Sequence, residues 1–85
     1  MHITIDGKKI KNINDLHMFL KKTLNFSNYY GNNFDALNDV LFEYPSLSIT
    51  IINSDYLLNN LKNNFFVLLD ILKDNNINVL LKVGD

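Results

Sequence analysis

The chain has 85 residues, 47% of them hydrophobic, with eight basic and nine acidic side chains and no cysteine. That length holds one domain around one core, and the lack of thiols removes disulfide staples, thiolate metal sites and cysteine nucleophiles. The formal net charge of −1 gives no overall pull toward nucleic acid, and the longest apolar run, Phe65-Phe66-Val67-Leu68-Leu69, is far short of the ~20 residues that cross a bilayer.

The first segment, Met1-His2-Ile3-Thr4, reaches an acid at Asp6 and lacks a basic start followed by an apolar block. No export signal or membrane association is therefore expected, and a reducing, cytoplasmic setting is. Ile3-Thr4-Ile5 alternates as a strand does, and Asp6-Gly7 supplies a turn. Read locally, the segment is either a hairpin running on to Ile10 or one strand leaving through a turn. Asn14 is expected to cap a helix over about residues 15–25, with Ile13 and Met18 at the spacing of a hydrophobic staple. Leu16, Phe19, Leu20 and Leu24 form its apolar stripe. A polar and aromatic loop, Phe26 to Asn33, separates it from a second helix starting near Asn33 and running to about Phe42. The buried face of that helix is Leu37, Val40, Leu41 and Tyr44, and Pro45 stops it.

In the second half, Leu47 to Ile52 is β-branched and nearly continuous in apolar character, which predicts a strand. Ser54 is expected to cap a helix carrying Leu57, Leu58 and Leu61. Asn63-Asn64 marks a break or kink into a further helix over about residues 65–74, apolar on more than one face and so expected to be well buried. Asn75-Asn76 ends it, and Ile77 to Val83 reads as a final buried strand. The order β-α-α-β-α-α-β predicts an α/β domain with a parallel sheet, since parallel strands need long crossovers. The nearly continuous apolar strands at 47–52 and 77–83 predict burial on both sheet faces.

No catalytic chemistry stands out. Glycines at positions 7, 31 and 84 cannot form a phosphate loop. His2 and His17 lack metal-ligand spacing, and His17, beside the apolar face of the first helix, is expected to be a core or edge histidine with a satisfied hydrogen bond. Charge is unevenly distributed. Residues 1–22 carry a balance of +3, whereas residues 23–61 contain no Lys or Arg and carry −4 from Asp35, Asp39, Glu43 and Asp55. Such a segment can steer a basic partner and has nothing with which to neutralise phosphates. Asp35 and Asp39 stand at i, i+4 on one helical face. The helix dipole accounts for an acid in the first turn, but like charges at this spacing repel by some tenths of a kcal/mol. Acid–base use of the pair would need an apolar enclosure that separates the two pKa values, and nothing in the sequence predicts one. Neither cofactor nor metal is expected.

The segment Tyr29-Tyr30-Gly31-Asn32-Asn33-Phe34-Asp35-Ala36-Leu37-Asn38-Asp39-Val40-Leu41 closely resembles the signature of the barstar family: two tyrosines, a glycine, an asparagine, then a helix opening with a hydrophobe, Asp, Ala and Leu before a second Asp. Upstream, Ile5-Asp6-Gly7, Ile10, Asp15-Leu16-His17 and Leu20-Lys21-Lys22 continue the resemblance without gaps, and Glu43-Tyr44-Pro45 resumes it after a shortening. The chain differs in having Asn38 where members commonly carry tryptophan, in lacking a Gly-Trp pair before Tyr44, and in having Ile71, flanked by Asp70, where the last helix usually supplies an acid.

The resemblance implies a barstar-like α/β fold over residues 1–85, with a three-stranded parallel sheet packed with helices. It favours one strand and a turn at Asp6-Gly7. It further implies an intracellular inhibitor, not an enzyme, that occludes the active site of a small guanyl-type, barnase-like ribonuclease in a 1:1 complex and is a monomer when free. The partner-binding residues would be Tyr29, Tyr30, Gly31, Asn33, Phe34, Asp35, Asn38 and Asp39.

Overall fold

The computed structural model describes residues 1–84. Strand β1 (His2–Asp6) passes into a 3₁₀ turn (Gly7–Lys9); then come α1 (Ile13–Thr23), α2 (Phe34–Leu41), β2 (Ser48–Ile52), α3 (Ser54–Leu61), α4 (Asn63–Asp74) and β3 (Asn78–Leu81). The Asp6 carboxylate accepts from the Lys8 amide at 3.0 Å, and this side-chain turn takes the chain off β1 as a single strand. The sheet is parallel with order β1-β2-β3, as the element order predicted.

Alternation along the strands sorts the side chains. With Ile3 opposite Ile49 and Ile5 opposite Ile51, all four isoleucines point to the helical side and are buried. His2, Thr4, Ser48 and Thr50 point the other way, where they are exposed or half-exposed. There the His2 ring bridges two β2 hydroxyls, with Nδ1 2.7 Å from Ser48 and Nε2 3.1 Å from Thr50. The helices therefore cover one face only, and the expected burial of both strands on both faces is not met. β3 is an edge strand with Leu80 55% and Leu81 44% exposed. Four short helices drawn from so few residues suffice for one layer, and continuous apolar character did not distinguish a covered edge from an open one.

Helix ends account for much of the asparagine. The cap of α1 is Asn12, not Asn14: its side chain accepts from the Asp15 amide at 2.9 Å, while Asp15 accepts from the Lys11 amide at 3.0 Å. This reciprocal pair starts the helix earlier than expected and leaves Met18 54% exposed, so the staple does not form. α1 and α4 end alike. Asn25 and Asn76 take left-handed backbone (φ 57° and 58°), and the Phe26 and Ile77 amides reach back to the Lys21 and Leu72 carbonyls at 2.9 and 3.0 Å. Glycine usually fills this position; asparagine tolerates it because its short polar side chain bonds locally. Asn53, also left-handed, precedes α3 in place of the expected Ser54 cap, and its amide instead donates to Asp6 at 2.9 Å. Ser54 is the first helical residue and is buried. The break between α3 and α4 falls at Lys62, one residue before Asn63. α4 buries Phe65, Leu68 and Leu72 but leaves Phe66 53% exposed, so it is half-covered and not enclosed.

One backbone approach governs how α3 meets the sheet. Gly7 is buried, and an added methyl there would overlap the Asn53 carbonyl and lie 2.9 Å from the Leu57 amide. Both contacts are backbone and cannot swing aside. Gly7→Ala is accordingly expected to cost on the order of 3 kcal/mol, read as a fall in the urea midpoint. A loss below about 1 kcal/mol would mean that the turn and α3 separate easily.

Candidate functional site

The loop between α1 and α2 is built on Ser27 and Asn33. The Ser27 hydroxyl accepts from the Tyr29 amide at 3.1 Å and its carbonyl from the Tyr30 amide at 3.0 Å. Asn33 caps α2, its side-chain oxygen accepting from the Ala36 amide at 2.7 Å while its amide donates to the Gly31 carbonyl at 3.3 Å. Asn32, left-handed at φ 53°, makes the bend between the tyrosines and this cap. An added methyl on Gly31 would come within 3.2 Å of the Asn33 amide nitrogen, so a small residue keeps the cap undisturbed.

The two tyrosines face opposite ways. Tyr30 is 7% exposed and packs on Phe26 with ring centroids 4.8 Å apart. Its hydroxyl lies 2.7 Å from Nδ1 of His17, itself buried on α1. Phe34 closes over the same imidazole edge-on at 5.4 Å. Desolvation lowers the pKa of His17 and raises that of Tyr30 to about 12, so both are neutral near pH 7. The Nε2 atom of His17 has no partner among the described residues. The core histidine expected from the sequence is present, satisfied on one nitrogen. Tyr29, by contrast, is 96% exposed.

α2 presents its outer face beside this loop. Leu37 and Leu41 are buried and Val40 and Phe34 partly so, which leaves Asp35, Asn38 and Asp39 in solvent. The side-chain bonds of this region end on Ser27, Tyr30, Gly31, Asn33 and Asn38, and none among the described residues ends on Asp35 or Asp39. No Lys or Arg occurs between residues 23 and 61 to balance them. A shallow hollow of about 240 Å³ lies between loop and helix, lined by Ser27, Tyr29, Tyr30, Gly31, Ala36, Asp39 and Val40. A larger hollow, of about 550 Å³, sits between α4 and β3 and is lined by Leu69, Lys73, Ile77, Val79 and Leu81 among others. It contains no carboxylate and no aromatic ring, so the chemistry and not the volume locates the candidate site.

The expected site residues thus divide. Tyr29, Asp35, Asn38 and Asp39 share one exposed surface. Tyr30, expected at the partner surface, turns inward, since its hydroxyl and the His17 imidazole satisfy each other out of water. Phe34 is half-buried against the same histidine, and the Asn33 oxygen is committed to the cap. One contributor was missing from the sequence reading: Asn75, at the end of α4, donates to Asn38 at 2.8 Å and to the Ile71 carbonyl at 2.9 Å. It ties α4 to the candidate face across 37 residues of chain, a separation over which no local pattern carries a signal. No group of three or more potential metal ligands occurs among the described residues, and no helix is long and apolar enough to cross a membrane. Both carboxylates lie open to solvent. Such a surface can offer negative charge and a flat aromatic ring to a cationic concavity.

Fold and surface together define a small α/β domain whose candidate site is an exposed loop-and-helix face. The chain matches the family model described as Barstar (barnase inhibitor) over residues 1–82, and it belongs to the barstar family. It is similar to "Putative ribonuclease inhibitor YrdF" of Bacillus subtilis (strain 168), with 41% identity over 58 residues, or 68% of this chain. The match takes in 64% of that relative, a little under two thirds of its length.

The buried imidazole makes stability depend on pH. Its folded pKa lies below the ordinary 6.5, so below pH 6.5 the unfolded chain binds a proton that the folded chain refuses. The contribution is fully present above that pH and is lost as pH falls from 6.5 through the folded value. The urea midpoint is expected to fall between pH 7.5 and 5.5, and the fall to be largely absent in His17→Leu. Equal falls in both proteins would place the titrating group elsewhere.

Proposed function

We propose that this protein is an intracellular inhibitor that binds the active site of a small guanyl-type, barnase-like ribonuclease and closes it to RNA. Membership of the barstar family and the likeness to a protein named as a ribonuclease inhibitor support the class of activity. The observation that carries the reading on this chain is the pair Asp35 and Asp39. Two carboxylates without internal partners among the described residues stand on an exposed helix face beside the 96%-exposed ring of Tyr29.

A ribonuclease that cleaves a phosphodiester holds cationic side chains where the phosphate sits. Asp39, with Asp35 more peripheral, stands in for that phosphate by accepting charge-assisted hydrogen bonds. Tyr29 lays its ring over a catalytic histidine, a use to which tyrosine is suited by its large rigid surface. Asn38 and the backbone of the Tyr30-Gly31 turn add polar contacts, while Tyr30, Asn33 and Phe34 hold the loop in shape from beneath. Inhibition is occlusion in a 1:1 complex, with no cofactor and no turnover, by a protein that is a monomer when free. The acidic middle of the chain accelerates encounter with a basic enzyme.

The short connection from α2 to Tyr44 favours a second reading, a barstar-fold module for a different basic partner. Titration against purified small guanyl-type ribonucleases, barnase among them, separates the two. Stoichiometric loss of RNA cleavage supports inhibition; if no enzyme of this class is affected, a different partner is indicated. In an inhibited pair, Asp39→Ala is expected to weaken binding at least a hundredfold, because the enzyme's desolvated cation is left unpaired at a cost of about 3–5 kcal/mol. Unchanged affinity would remove Asp39 from the interface.

A further inference from the structure

The carboxylates of α2 have an apolar neighbour that the acidic mimicry leaves unused. Phe42, the residue that closes α2, keeps helical backbone (φ −63°, ψ −18°) and is 74% exposed. At 3.6 residues per turn it projects about 20° from Asp35 and about 60° from Asp39 around the helix, about 4.5 Å beyond Asp39 along its axis. Asp39 meanwhile lines the hollow beside Tyr29. The two most exposed aromatic rings among the described residues, Tyr29 at 96% and Phe42 at 74%, therefore lie on either side of the same acidic strip.

A single exposed phenylalanine is ordinary on a protein surface. The setting of this one is not. The core has no use for it, since Leu37 and Leu41 already fill the inner face of α2. Directly after it the chain turns away: the Glu43 and Tyr44 amides bond to the Val40 and Leu41 carbonyls at 3.1 and 2.9 Å. Tyr44 is then anchored by its hydroxyl to the Leu24 carbonyl at 2.8 Å. Phe42 is thus held at the outer end of the acidic face by a connection too short to fold over it.

We infer that Phe42 is a specificity-determining anchor, which inserts against an apolar patch bordering the cationic cleft of the enzyme. The inference rests on the ribonuclease-inhibitor reading and sharpens it by stating what the partner carries beyond its cations. The carboxylates, long-ranged and screened by salt, govern how fast the complex forms. The ring, felt only on contact, acts on how slowly it separates, beside the desolvated pair that Asp39 makes. An enzyme whose rim at that point is polar and hydrated would lose water without gaining a hydrogen bond, and would be rejected.

The test uses the full chain and the enzyme that it inhibits most strongly from a panel of purified small guanyl-type ribonucleases including barnase. Phe42→Ala and Phe42→Gln are expected to weaken binding tenfold or more through faster dissociation, with the salt dependence of association unchanged. Phe42→Leu should stay within threefold of the wild type. Asp39→Ala should also speed dissociation, and unlike the Phe42 variants it should slow association and flatten its salt dependence. The urea midpoints of the three Phe42 variants should match the wild type, since the ring is exposed. Wild-type affinity in both Phe42→Ala and Phe42→Gln, with Asp39→Ala still weak, would overturn the anchor and leave the inhibitor reading standing. Absence of inhibition by the wild type across the panel would overturn both.

Discussion

The contact between His17 and Tyr30 is where the core of this protein becomes its candidate surface. A hydrogen bond of 2.7 Å out of water joins α1 to the loop ahead of α2, and Phe34 covers it. Burial keeps both groups neutral, so neither can ionise cheaply and leave. Because Tyr30 is drawn inward, the turn at Ser27 sends Tyr29 outward, and the asparagine cap that follows aims α2. The exposed ring and the two carboxylates hold their relative positions because a buried polar pair fixes the segment between them.

Economy marks the rest of the architecture. A parallel sheet is ordinarily covered on both faces, yet here one layer of short helices covers one face, and hydroxyls bridged by His2 meet solvent on the other. With only three glycines, none at positive φ, the chain places asparagine at four of the five non-glycine positions with positive φ among the described residues. Part of the asparagine content is thus punctuation, ending α1 and α4, bending the tyrosine loop and turning β2 into α3.

The candidate face departs from what a freestanding helix would prefer. Asp39 follows Asp35 by one turn with no Lys or Arg nearby in the chain, and Phe42 extends the same surface into water. Such departures from local preference concentrate where a protein meets something else. A repulsion of tenths of a kcal/mol and an unburied ring are small costs within the folded chain; a cationic, partly apolar partner would reverse both.

Much of this was legible in residue order. Strand and helix order, the parallel sheet and the inner faces of α1 and α2 follow from periodicity, because hydrophobic spacing directly reflects which side is buried. Asp35 and Asp39 were legible as a pair because helical spacing places i and i+4 together, and the Tyr29–Leu41 resemblance assigned them a role. Tertiary structure alone decided which tyrosine faces the core, since adjacent identical residues carry no pattern that distinguishes them. It selected Asn12 over Asn14 as the cap through a reciprocal bond to Asp15, left β3 as an open edge because no helix remained to cover it, and brought Asn75 to Asn38. Local spacing determined the elements and the acidic strip; the directions of Tyr29, Tyr30 and Phe42 depended on contacts between segments far apart in the chain, which only packing can specify.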